Sequence, residues 1–85
     1  MRYKIVINSK TEKMLSKIEK SIAVRIRDKI RLLSEHPRPS GMTQLKGYDN
    51  AFRIRVGDYR IIYEIDDDRV LILVVNVGHR REVYR

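Results

Sequence analysis

The 85-residue chain contains no cysteine. Disulfides and thiolate metal sites are thereby excluded, and a reducing, cytoplasmic home is the natural expectation. No stretch approaches the roughly 18 consecutive apolar residues that a membrane-spanning helix needs, so no membrane partner is expected. The opening MRYKIVINSK has too short an apolar run, and no small-residue cleavage site, to be expected as a secretory signal. Repeats and low-complexity segments are missing as well. Acidic residues are scarce relative to basic ones: 19 Lys and Arg stand against 11 Asp and Glu, a formal net charge of +8. Such an imbalance points to a polyanionic partner.

A chain of this length makes a single domain over residues 1–85, large enough to fold without staples. Its charge is unevenly spread. From Met1 to Asn50 twelve Lys and Arg face five Asp and Glu, a net of +7, whereas from Ala51 to Arg85 seven face six, a net of +1. The broad positive field therefore arises in the first half. The second half offers a few individually placed arginines.

Those arginines cluster in the stretch AFRIRVGDYRIIYEI, Ala51 to Ile65. Gly57-Asp58 is a two-residue turn signal, since glycine adopts the positive φ of a tight hairpin without steric cost. With that loop, Val56 faces Tyr59, Arg55 faces Arg60 and Ile54 faces Ile61. Side chains alternate along a strand, so Phe52, Ile54, Val56, Tyr59, Ile61 and Tyr63 share one apolar face. The other face carries Arg53, Arg55 and Arg60, with Ile62 and Glu64. Like charges directly across a strand pair are destabilising, so Arg55 against Arg60 calls for something negative between them. Guanidiniums stay protonated and present forked donors matched to phosphate oxygens. Two readings stand at this point: a phosphate site, or the ordinary wet face of a surface strand.

The rest of the chain supplies the setting. Arg2 to Asn8 alternates as a strand, and Ser9 with Glu12 makes a capping-box signature for a helix carrying Met14, Leu15 and Ile18. Ser21 is a usable cap for a second helix, in which Ile22, Ala23, Ile26, Ile30 and Leu33 follow helical spacing up to a stop at Pro37. The basic outer surface of this helical hairpin is either a solvated face or an RNA-contacting one. Arg38 to Asn50 reads as turn-rich, with Leu45 anchored in the core. After the hairpin and the acidic turn Asp66-Asp67-Asp68, Arg69 to Val77 reads as a central strand buried on both faces and ended by Gly78.

The order predicts a small α+β domain: an N-terminal strand, an α-helical hairpin, then a mainly antiparallel three-strand meander, in one sheet with helices on one face. The arginine face should be the uncovered one. The tail is expected to bring His79, Arg80 and Tyr84 to the same surface. Tyr3, Tyr48, Tyr59 and Tyr63 read mostly as packing residues.

With LKG at 45–47, FRIRVGDYRIIYEI at 52–65 and VGHRREVY at 77–84, essentially the whole chain resembles the RelE/ParE toxin superfamily of toxin–antitoxin systems. The RelE-type likeness implies an mRNA interferase acting in the ribosomal A site. Its reaction would be attack of a 2′-OH on the adjacent phosphate with neither metal nor cofactor. By position, Arg60 matches a phosphate-binding arginine, Arg80 an arginine proposed as acid or charge stabiliser, and Tyr84 a C-terminal tyrosine proposed as base. Arg53 and Arg55 match a basic strand pair that is typically lysine in the best-known members; as arginines they serve as electrostatic clamps only. Lys46 and Arg81 join them as substrate-binding candidates. The tail between Arg80 and Tyr84 is about two residues shorter than in the well-known member, which makes His79 an alternative base, its ordinary pKa of about 6.5 suiting that role. The implied partners are a cognate antitoxin, mRNA and the ribosome, with rRNA met by the basic N-terminal half. The same fold also implies two alternatives: a ParE-like toxin that inhibits DNA gyrase without cleaving RNA, and an inactive member that keeps only antitoxin binding.

Overall fold

The structure, a computed structural model, describes residues 2–79. Five strands form one sheet: β1 (Lys4–Ile7), β2 (Thr43–Gln44), β3 (Ala51–Val56), β4 (Tyr59–Asp66) and β5 (Leu71–His79). The helices α1 (Ser9–Lys17) and α2 (Lys20–Leu33) lie between β1 and β2 in the chain. Spatial order is β1-β5-β4-β3-β2, with β1 parallel to β5 and every other pair antiparallel. The expected α+β architecture is the one observed, with β2 as an addition at the sheet edge.

The β3–β4 hairpin has the register that its two-residue loop dictates: Val56 opposite Tyr59, Arg55 opposite Arg60, Ile54 opposite Ile61. Gly57 has a φ of 58°, a left-handed conformation that favours glycine. One face of the hairpin is sealed. Phe52, Ile54, Val56, Ile61, Tyr63 and Ile65 are buried together with Ile72, Val74 and Val77 of β5, against Leu15, Ile26, Ile30 and Leu33 of the helices. α1 packs over β5 and α2 over β3, so both helices cover the same face. None of the helices among the described residues is long and apolar enough to cross a membrane.

Several boundaries differ from the sequence expectation, each for a local reason. Asn8 rather than Ser9 caps α1, its Oδ1 accepting from the Thr11 N–H at 2.8 Å. α2 begins after Glu19, and the Ser21 hydroxyl is spent on the Glu19 carboxylate instead of a cap. That helix ends at Leu33, short of Pro37, because Ser34, Glu35 and His36 turn back onto Arg31 and Leu32 carbonyls. Ser34 also donates its hydroxyl to the Tyr3 carbonyl at 2.7 Å, tying the helix end to the chain just before β1. Leu45 is not a core anchor; it sits on the uncovered face beside Tyr48 and Ile62. Tyr48 is exposed, whereas Tyr63 is fully buried and Tyr3 and Tyr59 pack at the core margin.

β5 departs most. It starts two residues later than expected, and it is buried on one face only, with Leu71, Leu73 and Val75 half-covered. Gly78 does not end it but pairs with Arg60 inside the ladder. Opposite Ile62 and Tyr63 the register jumps from Asn76 to Val74, which leaves Val75 as the extra residue of a β-bulge. Even-numbered residues of β5 face the core before the bulge, and odd-numbered ones after it.

Candidate functional site

Alternation along β3 and β4 puts Arg53, Arg55 and Arg60 on the face away from the helices. Arg55 stands directly across from Arg60, and Arg53 lies between Ile62 on β4 and Thr43 on β2. All three line one open cleft of about 300 Å³ together with Gly41, Thr43 and Ile54. Arg55 is exposed, while Arg53 and Arg60 are half-buried and Nη1 of Arg60 is fully so. Among the described residues no carboxylate forms an ion pair with Arg55. A half-buried guanidinium cluster interacts with an anion more strongly than the same charges in bulk water, because the effective dielectric is lower. Chemically the cleft is suited to a phosphate group.

Two contributors were not legible in the sequence. Gly41 and Thr43 reach the cleft because β2 pairs with β3, a two-residue strand with no hydrophobic pattern of its own. Gly41, at a φ of 90°, makes the turn that brings the chain there. The only local cue is the turn-forming PSG before it.

His79 does not join the arginines, contrary to expectation. It pairs with Tyr59, whose ring packs on the core side of the sheet, and the two rings meet edge-on with centroids 5.6 Å apart. Its surroundings are Ile22 and Arg25 of α2 with the Val56–Tyr59 turn. The physical reason is the bulge at Val75, which shifts the alternation of β5 by one residue. Lys46 is exposed in the β2–β3 connection and is not part of the arginine cleft. Arg80, Arg81 and Tyr84 lie outside the described residues.

The open face has a second, chemically different end. Leu45, Tyr48, Ala51, Ile62, Glu64 and Val75 surround a shallow, mostly apolar hollow of about 230 Å³. Beyond the edge of the sheet, Arg38 joins Asp67 at 2.9 Å while the Tyr3 hydroxyl donates to the same carboxylate at 2.6 Å. Arg38 and Tyr3 hold the Asp67 carboxyl below its usual range, the Arg38 contact contributing most. This cluster fastens the β4–β5 turn to the segment after α2. Among the described residues there is no group of three or more His, Asp or Glu placed to hold a metal ion.

Comparison with known proteins decides the family. The family described as "ParE toxin of type II toxin-antitoxin system, parDE" matches residues 5–84. The chain belongs to the RelE/ParE toxin superfamily. Toxin RelE3 of Methanocaldococcus jannaschii is 34% identical over 73 residues, covering 76% of this chain and 81% of that protein. The mRNA interferase toxin RelE of Escherichia coli K12 is 26% identical, covering 99% and 92%. In three dimensions the toxin is similar to the archaeal RelE–RelB complex from Pyrococcus horikoshii OT3, with a TM-score of 0.84, 26% identity and coverage of 94% and 97%. The family description carries the ParE name and these relatives carry the RelE name. It is a type II toxin of RelE-like fold.

Proposed function

We propose that this toxin is a ribosome-dependent endoribonuclease that cuts mRNA in the ribosomal A site. The observation that carries the reading is the cleft in which Arg53, Arg55 and Arg60 stand together on the uncovered face of the sheet. In the proposed step the 2′-oxygen of one nucleotide attacks the adjacent phosphorus as its proton leaves. The bond from phosphorus to the 5′-oxygen then breaks, and that oxygen takes up a proton. The products are a 2′,3′-cyclic phosphate and a free 5′-OH. Negative charge builds on the phosphoryl oxygens at the transition state, and fixed cations aimed there lower the barrier. Arg60 is assigned to that charge, with Arg53 and Arg55 clamping the flanking phosphates.

Proton transfer needs other groups. The described lining of the cleft is Gly41, Thr43, Arg53, Ile54, Arg55 and Arg60, with no carboxylate and no imidazole among them. His79, on the opposite face, is set aside as the base. We assign proton abstraction to Tyr84 and stabilisation of the charge on the leaving 5′-oxygen to Arg80, that oxygen taking its proton from water, with Arg81 and Lys46 as outer phosphate contacts. These roles rest on the family resemblance. A tyrosine base needs neighbouring positive charge to lose its proton, which the arginine cluster supplies. A site with so little acid–base equipment of its own gains from a ribosome that orients the substrate. The basic N-terminal half is the proposed rRNA-facing surface, a cognate antitoxin the proposed protein partner, and the cytoplasm the proposed location.

The ParE name of the matching family favours a second reading, inhibition of DNA gyrase without RNA cleavage. One experiment separates the two. Toxin is added to purified ribosomes stalled at a known codon, the mRNA ends are mapped, and gyrase supercoiling is followed in parallel. Cleavage within the A-site codon, absent without ribosomes, is the expected result. Intact mRNA with inhibited gyrase would move the toxin to the second reading, and two negative results would leave antitoxin binding as its function.

A further inference from the structure

We infer that Asn8, at the junction of β1 and α1, is a positioning residue for the arginine cleft, acting through the bulge in β5. In a regular strand successive carbonyls point to opposite neighbours, so a strand lying between two others alternates its bonds. Here the Val74 and Val75 carbonyls both turn toward β1. The Val74 oxygen accepts from the Asn8 backbone N–H at 3.4 Å and the Val75 oxygen from Asn8 Nδ2 at 3.0 Å. The carbonyl of the bulged residue is therefore met by one side chain. The same side chain caps α1 through its other atom, Oδ1. A backbone carbonyl turned out of a ladder in a half-covered strand requires such a partner.

The bulge decides what faces Arg60. With it, Arg60 stands opposite Gly78, and Val77 is fully buried on the helix side opposite Ile61. Without the extra residue, continuing the register from Tyr63–Val74 would pair Ile62 with Val75, Ile61 with Asn76 and Arg60 with Val77. A branched side chain would then stand beside Arg60 on the open face, and an amide would enter the core. Asn8 thus keeps a residue without a side chain next to the arginine assigned to the transition state. It touches neither the cleft nor its arginines, so its influence is on geometry alone.

Substitutions at Asn8 separate this role from helix capping. Ser and Asp both cap helices about as well as Asn, but neither has the amide donor for the Val75 carbonyl, and Asp sets an anionic oxygen against it. We expect Asn8→Ser and Asn8→Asp to remain folded but to melt below wild type, because the Val75 carbonyl loses its donor, with the lower value in Asn8→Asp. In both, the amide NMR signals of Val75 to His79 and the Arg60 side-chain signal should move, with the larger shifts in Asn8→Asp. The kinetic arm rests on the proposed cleavage: kcat in the stalled-ribosome assay should fall at least tenfold in Asn8→Asp while KM changes much less. Asn8→Gln, which moves the amide a carbon further out, serves as a control for capping loss. A Gly78→Val variant should reproduce the kcat loss with the bulge signals of Asn8 intact. Unchanged Val75–His79 signals in folded Asn8→Asp would overturn the inference, as would shifted signals with undiminished kcat. If wild type cuts no RNA, the cleavage reading fails, and the spectra alone still judge whether Asn8 sets the register.

Discussion

The β3–β4 hairpin presents two faces from one backbone, and they obey opposite rules. Toward the helices, Phe52, Ile54, Val56, Ile61 and Tyr63 are buried, and each contributes stability by leaving water. Toward solvent, Arg53, Arg55 and Arg60 share a cleft, and Arg55 stands in register with Arg60, an arrangement that stabilises nothing by itself. One face is explained by folding and the other is not. The difference teaches where to look for function: in the side chains that the fold tolerates rather than needs. If that division holds, substitutions on the two faces must have inverse signatures.

The largest effect should come from the core face. Ile61 is fully buried between Ile54 and Val77, so Ile61→Ala should cost about 2–5 kcal/mol of stability through lost burial and the cavity left behind. For a domain of this size that corresponds to a melting temperature lower by at least about 8 °C, readable by circular dichroism. On the open face the pattern should invert. Arg60→Ala should lower cleavage in the stalled-ribosome assay by about 100- to 1,000-fold, the range for removing one charge-stabilising donor. Its melting temperature should fall far less than that of Ile61→Ala, since Arg60 is only half-buried and a like-charge pair is relieved. An Arg60→Ala protein that is both inactive and unfolded would break the comparison, because the arginine would then belong to the fold.

The two faces also differed in how far they were legible. The hairpin register followed from Gly57-Asp58, since a two-residue loop leaves one pairing, and the three arginines then fell on one side with no further information. The face of His79 was hidden. Val74, Val75 and Val77 are apolar at both parities, so alternation in LVVNV carries no mark of an inserted residue. The bulge shows only as a broken pairing in three dimensions. β2 was hidden for a different reason: a two-residue strand is made by its neighbour β3, not by its own pattern. At α1, Asn8 and Ser9 are adjacent and both competent caps; the Asn8 amide was selected by a contact from 67 residues away that no local rule contains. Local chemistry was readable wherever the contacts were local.

Smaller effects sharpen the same contrast through ionisation. Tyr63 is on the core face, where burial pushes its hydroxyl up to about 12, and it donates to the Pro37 carbonyl at 2.8 Å. A raised folded-state value means that stability is retained below the unfolded value of about 10 and falls as pH climbs from there toward about 12. In an absorbance titration of tyrosinate, Tyr63→Phe should therefore remove a late component and leave the others. It should also cost about 0.5–1.5 kcal/mol at neutral pH through the lost hydrogen bond.

The smallest effect belongs to the exposed cluster at the sheet's end. The hydrogen bond from Arg38, and after it that from Tyr3, lowers the Asp67 pKa. A lowered carboxyl contributes stability that is full above the unfolded value of about 3.9 and is lost as pH falls through the folded one. Asp67→Asn should thus leave the neutral-pH urea midpoint almost unchanged, because exposed pairs are weak and screened by salt. Its mark should be a shallower loss of stability on acidification below about pH 4. An acid limb identical to wild type would show that Arg38 and Tyr3 meet Asp67 without coupling to folding, and the β4–β5 turn would then have to be held by the Lys4 N–H bond to the Val70 carbonyl, 2.9 Å long, instead.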